Sequence, residues 1–185
     1  MAKRKKQKKP CWDDIEKSIK QFEKNQLTDL LWNLYKLSAE NKDFFHTRFA
    51  TTGEDPLPRY KKIIQNAIHP YLEDHEPLEV EIATDAVNRY SKAVDNPVGE
   101  AELRIFYVEC GNNFTLSYGD IDEDFYDALL DMYEYAIETV LECPPDKQKE
   151  FQERLKAIMD SASHIGWGYG DGLGDLYYEV FTDDD

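Results

Sequence analysis

Apolar residues recur at three- and four-residue steps along nearly the whole of this chain, and no segment sustains an alternation with a period of two. Such spacing puts one side chain per turn on a single side of an α-helix, whereas a half-buried strand needs every second residue to be apolar. The chain is therefore expected to be all-α. Trp12, Ile15, Ile19 and Phe22 mark a first helix, with Asp13 and Asp14 near the positive end of its dipole. Leu27, Leu30, Leu31, Leu34 and Leu37 mark a second, capped by Thr28. A third, short segment gathers Phe44, Phe45 and Phe49 and is closed by Gly53 and Pro56. Tyr60, Ile63, Ile64, Ala67 and Ile68 belong to a fourth, which stops near His69 because Pro70 disfavours helical geometry in the residue before it. Ile82, Ala83, Ala86, Tyr90 and Val94 follow Pro77 as a fifth.

Asn96 followed by Pro97 is the clearest start signal, since asparagine caps free amides and proline suits the first helical position. The sixth helix begins there, and its stretch Ala101 to Val108 is apolar on more than one side, so it is expected to be the most buried element, ending around Gly111 to Tyr118. Asp122 caps a seventh, bearing Phe125, Leu129, Met132, Ala136 and Val140 and ending before Pro144 and Pro145. An eighth presents Phe151, Leu155, Ile158 and Met159, and a last short helix carries Leu176, Tyr177 and Val180. About eight helices with short connections predict a compact multi-helix bundle or a short superhelix of stacked helix pairs.

The chain has 185 residues, 41% of them hydrophobic and 13% aromatic, which suffices for one core and argues against global disorder. A single helical domain is expected over residues 11–182. No apolar run approaches the roughly 20 residues that cross a bilayer, and the N-terminus lacks the apolar stretch of a secretory signal, so a soluble, cytoplasmic protein without a membrane span is expected. Cys11, Cys110 and Cys143 are too few and too scattered for a disulfide framework or a metal pair, and read as reduced thiols.

Charge divides the chain sharply. Lys3, Arg4, Lys5, Lys6, Lys8 and Lys9 form a basic arm in residues 1–10 with no acid among them; beyond it, the remaining 16 basic residues face all 38 acidic ones, a formal −22. The arm is expected to be disordered, because like charges this close repel and nothing apolar anchors them. It suits a nucleic acid or an anionic surface, or shields the body's own acids; the body repels phosphate backbones. Residues 183–185 form an acidic tail.

Two segments concentrate unusual residues. Asp120, Asp122 and Asp124 match the first, third and fifth positions of a calcium loop, but Phe125 stands where the turn needs glycine and Asp131 where it needs glutamate. The favoured reading is that Gly119 ends one helix while Asp122, Glu123 and Asp124 open the next. Five of the nine glycines fall between Gly166 and Gly174, around Trp167 and Tyr169. No strand precedes them, and Asp171 and Asp175 oppose an anion, so a close-packed crossing with both aromatics inserted is preferred to a phosphate cradle. The four histidines, His46, His69, His75 and His164, lack metal-ligand spacing; only His164 is placed to meet Glu109 or Asp120 should the last helices pack together. Neither a metal centre nor a cofactor is expected, and no nucleophile elbow, P-loop or kinase pattern is present.

Tyr107-Val108-Glu109, Phe114-Thr115, Tyr118-Gly119-Asp120-Ile121-Asp122 and Phe125-Tyr126, with Ile165-Gly166-Trp167-Gly168-Tyr169 and Asp171 further on, resemble a family of short, helical, mostly bacterial proteins of unknown function. The resemblance runs from about Leu27 to Val180; it implies a cytoplasmic helical domain and carries no catalytic residue.

The charge division, without a recognisable catalytic constellation, points to a non-enzymatic helical interaction domain whose anionic body contacts a protein partner and whose basic arm tunes binding. One alternative is a small-molecule or metal site, hydrolytic in one version, built from Glu109, Asp120, Asp122, His164, Trp167, Tyr169 and Asp171 where the 118–124 and 164–175 loops meet. Another is association with RNA or DNA through the arm.

Overall fold

The computed structural model describes residues 11–49, 53–70 and 77–181; the basic arm, the acidic tail and His75 lie outside them. Among the described residues there are nine helices and no strands: α1 (Trp12–Ile19), α2 (Lys24–Leu37), α3 (Ala39–Phe49), α4 (Leu57–Ile68), α5 (Val80–Ala93), α6 (Pro97–Tyr118), α7 (Glu123–Leu141), α8 (Pro145–Ala162) and α9 (Tyr169–Val180). None of them is long and apolar enough to cross a membrane. The chain divides into two units, Met1–Phe45 and His46–Asp185.

In the first unit, α1 and α2 form where the apolar spacing places them, but no residue of either is buried. Thr28 does not cap α2. The helix starts one turn earlier, where the Glu23 amide donates to Gln26 Oε1 at 2.8 Å, and the Thr28 hydroxyl donates back to the Lys24 carbonyl. Trp32 stacks on Tyr35 at 5.4 Å, and Tyr35 meets the edge of Phe45.

The second unit is assembled around α6, which touches α4, α5, α7 and α8, while α7 and α8 carry α9. A helix wrapped on several sides has to be apolar on several sides, and α6 buries Ala101, Leu103, Ile105, Tyr107, Val108 and Phe114. Its start is the expected one, with the Asn96 side chain accepting from the Gly99 amide. Asp122 likewise accepts from the Phe125 amide to open α7.

Seven tyrosines, at positions 60, 90, 107, 126, 133, 169 and 177, are almost wholly buried. A buried phenol needs a partner for its hydroxyl, and most of these have one. Tyr60 pairs with Thr47, Tyr107 with Thr84, and Tyr133 donates to the Leu155 carbonyl at 3.0 Å. Cys110 and Cys143 are buried free thiols, and burial, reinforced by the nearby Glu109 charge, pushes Cys110 up to about 12.

The glycine-rich segment is more helical than its composition suggests. Glycine costs a helix roughly 1 kcal/mol relative to alanine, yet α9 already begins at Tyr169 and runs through Gly170, Gly172 and Gly174. The reason is packing against α8: a β-carbon at Gly170 would lie 2.7 Å from the Ala162 carbonyl oxygen, so only glycine lets the two backbones approach this closely.

Candidate functional site

The loop between α6 and α7 is shaped by local chemistry. Gly119 ends α6 with φ +94, a conformation that disfavours any side chain, and its amide donates to the Thr115 carbonyl. Asp120 then accepts a hydrogen bond from the Tyr126 hydroxyl at 3.1 Å. Burial first, and the Asp120 carboxylate with it, raise the Tyr126 phenol above its ordinary value against opposing hydrogen bonds from Thr115 and the Ile121 backbone. The Tyr126 ring lies 5.1 Å from that of Tyr169, at the start of α9. Asp120, Tyr126 and Tyr169 therefore form a linked group joining the two unusual segments.

The other residues singled out in the sequence are engaged elsewhere or exposed. The Asp122 carboxylate is engaged as the α7 cap and borders a shallow cavity with Val80, Ile121 and Phe125. His164, Trp167 and Asp171 are exposed; Trp167, at 58%, stands in solvent with φ +61 while Tyr169 is fully buried. Only one of the two aromatics therefore plugs into the crossing. Glu109 points to α8, where Arg154 Nε and Nη2 fork onto its carboxylate at 2.8 and 2.9 Å. Among the described residues no three His, Cys, Asp or Glu side chains gather as a metal would require.

Arg154 is the middle of a longer chain of charge. Its Nη1 donates to Glu102 Oε2 at 2.6 Å, and the other oxygen of Glu102 takes the Lys61 ammonium of α4 at 2.5 Å. Burial alone would raise the Glu102 pKa, but the hydrogen bonds from Arg154 and Lys61 outweigh it and hold the carboxyl below its usual range. Lys61, Glu102, Arg154 and Glu109 thus tie α4, α6 and α8 together through alternating charge.

Beside the Lys61 end, α4 and α6 border a half-open cavity of about 640 Å³. Lys61, Lys62, Gln65 and Asn66 come from successive turns of α4, and Phe106 and Tyr118 from α6. Sequence reasoning missed this group. The local signal was the pairing of two lysines with two amides four residues on, which puts all of them along one side of α4. The aromatic side comes from a helix some forty residues away and leaves no local trace.

The first unit also departs from an ordinary surface. Trp12, Ile15, Leu31, Trp32 and Leu37 are 65%, 46%, 49%, 55% and 74% exposed. Ile15, Ile19, Phe22 and Leu30 line an apolar groove there of about 430 Å³.

Residues 11–179 match the model of a family of unknown function, DUF6155, a span that starts before the expected Leu27 and takes in α1. No curated protein and no solved structure matches the chain.

Proposed function

The chain belongs to the DUF6155 family, and we propose that it acts as a non-enzymatic helical interaction domain that docks a basic protein partner through α1 and α2. The observation that carries this reading is that two amphipathic helices expose Trp12, Ile15, Leu31, Trp32, Leu34 and Leu37 and fully bury none of their residues, while Ile19, Leu27, Leu30 and Tyr35 are half-buried. Burying one large side chain contributes about 1.5–3 kcal/mol, and tryptophan is enriched among residues that dominate binding. Trp12 and Trp32 are the anchors. The formal −22 beyond the arm favours a cationic partner and speeds its encounter, and the arm, Lys3 to Lys9, moderates that attraction.

The test is affinity capture with the full chain and with a Leu31→Glu, Leu37→Glu variant, followed by binding of the purified partner at increasing salt. A partner retained by the wild type, lost by the variant and weakened by salt is expected. Retention that is indifferent to the variant, or no retained protein, overturns the reading.

A ligand site between the 118–124 and 164–175 loops is a second reading, favoured by the Asp120, Tyr126 and Tyr169 linkage. A divalent metal or small molecule bound there raises the melting midpoint, and Asp120→Asn abolishes the rise.

A further inference from the structure

The geometry points to a binding site, in the cavity between α4 and α6, for a small molecule that carries an anionic group on a planar aromatic ring. The cavity holds about 640 Å³, within the range of about 300–1,000 Å³ usual for small-molecule sites. The chain has 38 acidic residues, yet none of the described residues lining this cavity is acidic. Its polar side offers Lys61 and Lys62, with the amides of Gln65 and Asn66 one turn on.

Lys61 is not a loose surface chain. Glu102 holds its ammonium at 2.5 Å, and the same nitrogen sits 4.9 Å from the centre of the Phe106 ring. That places a cation, its charge shared with Glu102, next to an aromatic face, while the exposed Lys62 supplies a second cation. His69, also on the cavity wall, packs edge-on with Phe114 and Tyr118 at 5.7 and 6.1 Å.

Each part selects a feature of the ligand. Phe106 and Tyr118 favour a flat ring, by stacking or edge contact. The two ammonium groups favour a carboxylate or phosphate attached to it, through charge-assisted hydrogen bonds. Gln65 and Asn66 donate to and accept from polar atoms on the ring edge. Aromatic carboxylates and nucleoside monophosphates share this chemistry.

The experiment titrates the full-length chain with AMP and, separately, with benzoate, each beside its uncharged counterpart, adenosine and benzamide, following amide resonances of α4 and α6. At least one of the two anions binds, its counterpart binds at least about tenfold more weakly, and Lys62→Glu weakens the anion by about tenfold, the worth of one charged hydrogen bond. Which anion binds identifies the source of the charge. Lys62 is exposed, so its substitution leaves the fold intact; Phe106→Leu reports separately on the ring. No resonance shift with either anion up to about 10 mM, a limit weaker than any useful affinity, overturns the assignment. So does equal binding of the neutral counterparts, or an affinity indifferent to Lys62→Glu.

Discussion

Arg154 on α8 grips Glu109 on α6 with two parallel hydrogen bonds of 2.8 and 2.9 Å, and reaches with its remaining nitrogen to Glu102, seven residues earlier on the same helix. The guanidinium thus stands between two carboxylates that would otherwise face each other. Arg154→Met removes the fork and leaves both acids partly buried, at a cost of about 1–3 kcal/mol after allowing for their partial exposure. Chemical denaturation checks this, and adding Glu109→Gln to Arg154→Met recovers part of the loss.

The same clamp sets a pH dependence. Glu102 has a depressed pKa in the folded chain, so its contribution is fully present above its ordinary value of 4.5 and fades as pH falls through the lower folded value. Melting curves of the wild type and Glu102→Gln are therefore expected to differ at pH 7 and to converge as the solution is acidified below about pH 4.5. A constant difference across that range contradicts the assignment.

Asn96 and Asp122 open α6 and α7 as read, because a cap depends on neighbours two or three residues away. The stripes of α1 and α2 were equally legible as helices, but periodicity records only that a side is apolar and says nothing about what covers it. The clamp was illegible for the opposite reason: its links join residues 41, 45 and 52 positions apart, which no local pattern encodes. Glycine composition drew attention to the 166–174 segment, yet it concealed that most of the segment is helix held by α8 and α7.

Gly170 and Gly174 make an internal control within α9. Gly170→Ala forces its β-carbon against the Ala162 carbonyl and costs about 1–3 kcal/mol. A β-carbon at Gly174 meets nothing within 4 Å, so Gly174→Ala gains about 0.5–1 kcal/mol from the lower entropy of the unfolded chain. Thermal melting of the two variants shifts in opposite directions.

Two buried phenols differ in the same way. Tyr133 donates to the Leu155 carbonyl, whereas the Tyr169 hydroxyl has no hydrogen-bond partner among the described residues. Tyr133→Phe deletes a buried hydrogen bond, although the Leu155 carbonyl keeps its place in the α8 ladder, and loses about 0.5–1.5 kcal/mol, while Tyr169→Phe is neutral or stabilising. Equal losses in denaturation would place a hidden partner on Tyr169.

All three tryptophans are exposed, at 65%, 55% and 58% for Trp12, Trp32 and Trp167. The isolated chain is expected to emit at the long wavelengths of hydrated indole and to be quenched readily by acrylamide. Bound partner shifts the emission to the blue, and Trp32→Phe removes much of that shift.

Lys61 belongs at once to the clamp and to the wall of the α4 and α6 cavity. Its one positive charge is therefore shared between fastening two helices and greeting a guest. An anion that claims it loosens the grip of Glu102, whose other cationic hand among the described residues is Arg154, so occupancy and rigidity become two readings of a single electrostatic balance.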